Sequence, residues 1–235
     1  MKLGILQCDD VAPQLMDEFE NYPEMFKTAF SGVDPSLNYQ TYAAHRGELP
    51  ATTDACDAYL ITGSKMGVHE PHDWIPDLEN LIRQLYREKR RLVGICFGHQ
   101  IMSQALGGLA AKSDKGWGIG LSFNQVTVKK SWMQPASDHI DLIVSHQDQV
   151  LKPPEQTEVL ASSQFCPNYL LQYGEHFLSV QGHPEFSKEY STAIMDMRRG
   201  KEMPENRVRE GLVSLQGENQ GRLMIQWFVN FLKES

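Results

Sequence analysis

The run RLVGICFGHQ, residues 91–100, places Cys96 where an apolar stretch of strand character gives way to helical spacing. Gly94 and Gly98 flank it on either side, where side chains would collide in a tight strand-to-helix turn. GICFG therefore has the form of a nucleophile elbow with sulfur in place of oxygen. At such a corner the reactive atom projects out of the sheet, and backbone N–H groups and the positive end of a helix lie beside it. A free thiol has a pKa of about 8.5. A helix N-terminus together with an imidazolium lowers it to about 7 or below, which supplies thiolate at neutral pH.

A nucleophile needs a base, and the base needs a group that orients it. The segment SVQGHPEF, residues 179–186, supplies both. In an extended segment His183 and Glu185 fall on one face, with Pro184 stiffening the backbone between them. Glu185 would then hold the His183 imidazole in the tautomer that takes the thiol proton and returns it to a leaving amine. Taken singly, Cys96 reads as a core residue and the His-Pro-Glu as a loop; taken together they describe acyl transfer at a thiol.

Other clusters carry less. HEPHD, residues 69–73, gathers two histidines and two acids but lacks the helical spacing of a zinc-binding H-E-x-x-H and contains Pro71, so it reads as a polar loop at a site mouth. His99 is expected to be structural or solvent-facing. Cys8, Cys56 and Cys166 lie far apart without zinc-ligand spacing and read as inert, reduced thiols. No phosphate-cradling glycine loop or dinucleotide fingerprint is found, so neither metal nor cofactor is expected.

The elements that must position these residues follow from periodicity. The chain has 235 residues, 41% hydrophobic, enough for a sizeable core in a single domain spanning 1–235. A formal net charge of −8 with no basic cluster argues against nucleic acid as a partner. The opening MKLGILQCDD has an apolar run too short for a signal segment or a membrane span, so a soluble, cytoplasmic protein is expected, with no membrane partner. KLGILQCD reads as a buried strand, followed by helical spacing broken near Pro23. LNYQTYAA and DAYLITGS read as further strands, the latter entering a polar loop from Thr62 to His72 that is a candidate site element. An amphipathic helix is expected from Trp74 to Arg90, then the strand RLVGI, then a helix from Phe97 stopped by Gly107 and Gly108. Beyond it LSFNQVTVKK, DLIVSHQD and TEVLASS read as strands, YLLQYGEHFLSVQGHPEF as a hairpin turning near Gly174, and the last helix as packing through Leu223, Met224, Trp227, Phe228, Phe231 and Leu232. The charged segment from Lys188 to Gly221 is where helical excursions or a lid would sit.

GICFGHQ followed far downstream by GHPEF resembles the class I glutamine amidotransferases, and nearly the whole chain shares the likeness. It is most similar to the glutaminase domain of GMP synthetase and to stand-alone proteins like it, which include γ-glutamyl peptidases. The resemblance implies an α/β fold of flavodoxin-like, three-layer form: a mostly parallel central sheet with a nucleophile elbow and a β-rich C-terminal half. It implies Cys96 as nucleophile, His183 as base and acid, and Glu185 as orienter. Gln100 matches the position that contacts bound glutamine. ITGSKMGV stands at the place of an S-G-G-P-x-S oxyanion loop, keeping Gly63 but carrying Ser64 for the second glycine and Lys65 for the proline. The backbone N–H groups of Ser64 and Phe97 would form the hole, each donor worth about 3 kcal/mol in the transition state. The altered residues leave the loop conformation open, since serine tolerates a left-handed backbone poorly. SHQDQV matches an element near the active site, so His146 and Asp148 either touch substrate or cap and orient their loop. Trp117, in KGWGIG, is either a pocket wall or core.

The implied reaction is attack of the Cys96 thiolate on the γ-amide of glutamine, giving a γ-glutamyl thioester that water hydrolyses to glutamate, with ammonia released. An ammonia-accepting synthetase subunit would then be the partner. A free-standing γ-glutamyl peptidase or amidase is the alternative, and a non-catalytic regulatory or binding domain is a third reading.

Overall fold

A computed structural model describes residues 1–234. Strands β1 (Lys2–Leu6) and β2 (Asn38–Tyr42) are joined by two helices, α1 (Pro13–Phe19) and α2 (Tyr22–Ser31). The helical break falls before Pro23: Glu20 takes φ of 62°, and the Asn21 side chain accepts the Tyr22 N–H to start α2. Pro23 thus sits in a first turn, where its missing N–H costs nothing. Strand β3 (Ala58–Ile61), helix α3 (Trp74–Arg87), strand β4 (Arg91–Ile95) and helix α4 (Phe97–Ala105) follow as their spacing predicts.

The second half carries β5 (Leu109–Lys112), β6 (Gly118–Ser122), β7 (Gln125–Val126), β8 (Leu142–His146), β9 (Asp148–Lys152), β10 (Thr157–Ser162), β11 (Leu170–Tyr173) and β12 (Phe177–Val180). Helices α5 (Lys188–Arg198), α6 (Glu205–Ser214) and α7 (Gly221–Lys233) complete the described chain. The eight-stranded sheet has the order β2-β1-β3-β4-β12-β11-β10-β7. Its pairs are parallel from β2 through β12 and antiparallel from β12 to β7, which makes a mixed sheet with a parallel centre. The stretch LSFNQVTVKK is not one strand: β6 ends at Ser122 and pairs with β8, while β7 pairs with β10 in the large sheet. A second small sheet joins β5 to β9.

Because both faces of the parallel centre are covered, β1, β3, β4 and β12 are buried along nearly their whole length and mostly apolar. Leu3, Ile5, Leu60, Val93 and Ile95 meet Phe26 and Phe30 of α2 and Trp227, Phe228 and Phe231 of α7 on one face. Leu6, Tyr59, Ile61 and Leu92 meet Ile75, Leu78, Ile82 and Leu85 of α3 and Phe97 and Ile101 of α4 on the other. Each such side chain contributes about 1.5–3 kcal/mol of transfer free energy when fully buried. A separate cluster joins α1, α5 and α6 to β6 and β8 through Ile119, Leu121, Ile143, Phe186 and Ile194.

The two glycines around Cys96 are needed for close approach. A Cβ on Gly98 would lie 2.5 Å from the Ile61 carbonyl oxygen of β3, and one on Gly94 would lie 2.7 Å from the carbonyl of Gly98. Both contacts are with backbone, which cannot rotate away. Gly98→Ala is therefore expected to destabilise the protein by about 1–3 kcal/mol through overpacking. Urea unfolding of the variant, with an unchanged slope and a lower midpoint, would show it.

Candidate active site

Strands β3, β4 and β12 are neighbours and parallel, with Ile61 opposite Gly94 and Val180 opposite Ile95. That register brings Gly63, Cys96 and His183 to the same carboxyl end of the sheet, where ligands bind in open α/β folds. Cys96 has φ 53° and ψ −99°, a conformation in which an L residue is strained, and its N–H donates to the Val180 carbonyl at 2.9 Å. Helix α4 begins at the next residue.

His183 is fixed from three sides. Its backbone N–H donates to the Ile143 carbonyl at 2.8 Å, its ring stacks on Phe186 with centroids 3.9 Å apart and planes 7° from parallel, and its Nδ1 donates to Glu185 Oε1 at 2.7 Å. The pairing of His183 with Glu185 is not made by an extended segment: residues after the Ile143 bridge form a turn, closed by Phe186 N–H to the His183 carbonyl at 3.4 Å. The turn folds the carboxylate back under the imidazole. Burial by itself would lower the His183 pKa, but the Glu185 charge, the charge of Cys96 and hydrogen bonds to both raise it to about 10. The Glu185 side chain is fully buried, and its Oε2 has no partner among the described residues.

The loop after β3 lies against this pair. A Cβ on Gly63 would lie 2.8 Å from His183 Cε1 and 3.7 Å from Cys96 Cβ, so only glycine fits there. Ser64 does not adopt a positive φ; its hydroxyl accepts the Met66 N–H at 3.1 Å and stabilises the turn. The amides of Ser64 and Phe97 donate to no group among the described residues. A pocket of about 330 Å³ is lined by Gly63, Ser64, Cys96, Gln100, His146, Asp148 and His183, with Trp117 in its wall.

The remaining expectations divide. Gln100 lines the pocket, but its Nε2 is engaged, donating to the Asp148 carbonyl at 2.9 Å and to Gln181 Oε1 at 3.2 Å. His146 is buried, its Nδ1 donates to the Asp148 carbonyl at 3.0 Å, and burial lowers its pKa to about 4, so it faces the pocket as a neutral ring. The Asp148 carboxylate stands 3.7 Å from His69, and burial raises its pKa. His99 is not solvent-facing: it is wholly buried and bonded to Ser179 Oγ at 2.8 Å, and burial lowers its pKa to about 3. In HEPHD, Glu70 accepts the Gly67 N–H at 2.8 Å and pairs with His72 at 3.2 Å, which builds a turn.

One residue was not anticipated. Gln181 is fully buried, and its Nε2 donates to Cys96 Sγ at 3.5 Å while its Oε1 accepts from Gln100. Its place two residues before His183, at the end of β12, was the available signal. A polar residue at the carboxyl end of a strand beside the nucleophile strand points into the same site.

Residues 36–197 match the family described as glutamine amidotransferase class-I. The chain belongs to that family. Among relatives of this class-I amidotransferase chain, gamma-glutamyl peptidase 2 of Arabidopsis thaliana is 30% identical over 202 residues, 83% of this chain and 80% of its own length. Gamma-glutamyl peptidase 3 of the same plant is 36% identical over 153 residues, 61% of this chain and 60% of its own. The crystal structure of a glutamine amidotransferase from Thermotoga maritima superposes with a TM-score of 0.76 at 18% identity, covering 99% of each chain, which supports the class-I fold.

In this member of the class-I family the His183–Glu185 pair has a readable signature. A folded pKa raised above the unfolded value of about 6.5 gives stability that is complete below that value and is lost as pH rises through about 10. Glu185→Gln keeps an oxygen for the Nδ1 proton but removes the charge. NMR titration of the His183 ring is expected to fall from about 10 toward the ordinary imidazole value; an unmoved titration would place the cause elsewhere.

Proposed function

We propose that this chain is a cysteine-dependent hydrolase of γ-glutamyl amides, acting through a Cys96–His183–Glu185 triad. The observation that carries this is the meeting of Cys96, on a strained strand-to-helix corner, with the buried His183–Glu185 pair and the Gly63–Ser64 loop in one pocket. With Nδ1 committed to Glu185, Nε2 is the nitrogen that serves the sulfur.

The Cys96 thiolate attacks the γ-carbonyl carbon, and the electron pair of the C=O moves onto oxygen, where the free amides of Ser64 and Phe97 receive it. As the tetrahedral intermediate collapses, the C–N bond breaks and His183 gives its Nε2 proton to the departing nitrogen. Glutamine yields ammonia and a γ-glutamyl thioester. Water then attacks the thioester, His183 takes its proton, the C–S bond breaks, and glutamate leaves with the thiolate restored. His183 held protonated at neutral pH suits the first half, because the leaving nitrogen needs an acid.

A larger amine as leaving group is a second reading. The pocket of about 330 Å³ extends from Cys96 to Ile194, Arg198 and Glu202 of the α5 region, beyond what a side-chain amide fills, and the similarity to gamma-glutamyl peptidases spans most of the chain.

Release of glutamate and of ammonia or amine from glutamine, and separately from γ-glutamyl dipeptides, is the test, with wild type and Cys96→Ser compared. Wild-type turnover is expected, falling by about 10³-fold or more in the variant. Preference for dipeptides selects the peptidase reading. Glutamine turnover that needs an added synthetase subunit selects the amidotransferase with an ammonia-accepting partner. Activity equal in Cys96→Ser would overturn both.

A further inference from the structure

The loop that carries the Ser64 amide has lost the rigid residues of the motif it resembles, yet it lies directly against His183 and Cys96. Something else must hold it. Two consecutive residues of the β1–α1 connection do so, one on each side of Gly63–Ser64. Cys8 N–H donates to Thr62 Oγ1 at 2.9 Å, and that hydroxyl donates to the Gly63 carbonyl at 3.0 Å. Asp9 Oδ2 accepts the Lys65 backbone N–H at 2.9 Å, and Asp9 Oδ1 accepts from Lys65 Nζ at 3.3 Å.

Asp9 is itself preset. Its Oδ1 accepts the Asp10 N–H at 2.9 Å, and its carbonyl accepts from Gln7 Nε2, also at 2.9 Å. The residue is 7% exposed, so its bond to the Lys65 amide is shielded from competing water. A proline at position 65 would fix the loop through its ring but has no N–H to offer; Lys65 offers one, and Asp9 receives it.

We infer that Asp9 is a positioning residue for the oxyanion hole, fixing the Ser64 amide by clamping the Lys65 backbone N–H. The inference rests on the hydrolase reading above. Asp9 makes no hydrogen bond to Cys96 or His183 and does not line the pocket, so its effect is expected in steps in which charge develops on the carbonyl oxygen. Direct alkylation of the sulfur by iodoacetamide forms no oxyanion and does not need the loop.

Asp9→Asn is the test, because it is isosteric. The Oδ1 position faces two donors, the Asp10 N–H and the Lys65 ammonium, so the amide oxygen settles there and the NH2 group turns toward the Lys65 N–H, breaking the clamp. The variant is expected to lower kcat for γ-glutamyl amide hydrolysis by about tenfold, a fraction of the 10²–10³-fold of a donor removed outright. KM and the iodoacetamide rate at Cys96 are expected to stay within about twofold of wild type. In a Lys65→Pro background, which lacks the clamped N–H, Asp9→Asn is expected to cost less than about twofold in kcat. An unchanged kcat in Asp9→Asn overturns the inference. So does a parallel fall in the alkylation rate, or an undiminished cost in the Lys65→Pro background. A wild type that alkylates but hydrolyses no γ-glutamyl amide, whether alone or with a synthetase subunit added, overturns the hydrolase reading itself, and the inference with it.

Discussion

The backbone at Cys96 is held where an L residue is strained, and the contact that holds it is the seating of Gly98 on the Ile61 carbonyl of β3. With φ positive and ψ near −99°, the chain reverses from strand to helix within one residue, and the sulfur is left at the carboxyl edge of the sheet, where the pocket meets the core. Nothing local favours this conformation. It is maintained because Gly94 and Gly98 let α4 lie directly on β4 and β3, and because the Cys96 N–H is tied to β12 through Val180. The same three strands end in the loop of Gly63, the corner of Cys96 and the turn of His183. One packing constraint therefore fixes the sulfur and places both neighbouring loops against it.

Charge at the site is set by the Glu185 carboxylate, with the Cys96 sulfur acting in the same direction. His99, His146 and His183 are all buried, and burial pushes each of them toward the neutral form. His99 finds a hydroxyl and His146 a backbone carbonyl, partners that suit a neutral ring, and their pKa values fall to about 3 and 4. His183 finds Glu185, and its pKa rises to about 10. The dependence is mutual, since a wholly buried carboxylate with one unpartnered oxygen is costly unless an opposite charge stands beside it. The imidazolium in turn rests on the face of Phe186, where the ring quadrupole favours a cation. At neutral pH one of the three buried histidines is thus charged.

The central strands, α3, α4 and α7 were legible because each carries a clean period of apolar residues, and the elbow because the two glycines needed for close packing are adjacent in sequence to the thiol. His183 and Glu185 were legible as a pair for the same reason of proximity, although the local pattern suggests extended chain where the structure has a turn. What was not legible depends on partners distant in sequence. Gln181 matters because β12 lies beside β4, and Asp9 because β1 lies beside β3; neither adjacency is written in the local pattern. The division of the β-rich half into one sheet and two small ribbons escaped for a similar reason, since β6 and β7 are separated by two residues and yet pair with different strands. His146 was ambiguous because its role turns on burial, which a short His-x-Asp pattern does not disclose.

The pocket is built from two parts with different freedom to vary. Gly63, Cys96 and His183 stand at the ends of three paired parallel strands, and any shift of one would break the register that holds the others. Ile194, Arg198 and Glu202 come from α5 and the turn after it, which pack through Ile119, Ile143, Phe186 and Met195 onto the β6–β8 ribbon rather than onto the large sheet. Arg198 and Glu202, the less buried residues of that wall, can change size or charge without disturbing the strand ends, whereas Ile194 shares a buried cluster with Ile143 and Phe186, which hold His183. The chemistry proposed for Cys96 is accordingly set by the sheet, and under that proposal a leaving group larger than ammonia would meet the α5 wall. Two proteins with the same strand ends and different walls would share a mechanism and differ in substrate, so similarity of fold fixes the reaction type more firmly than the leaving group.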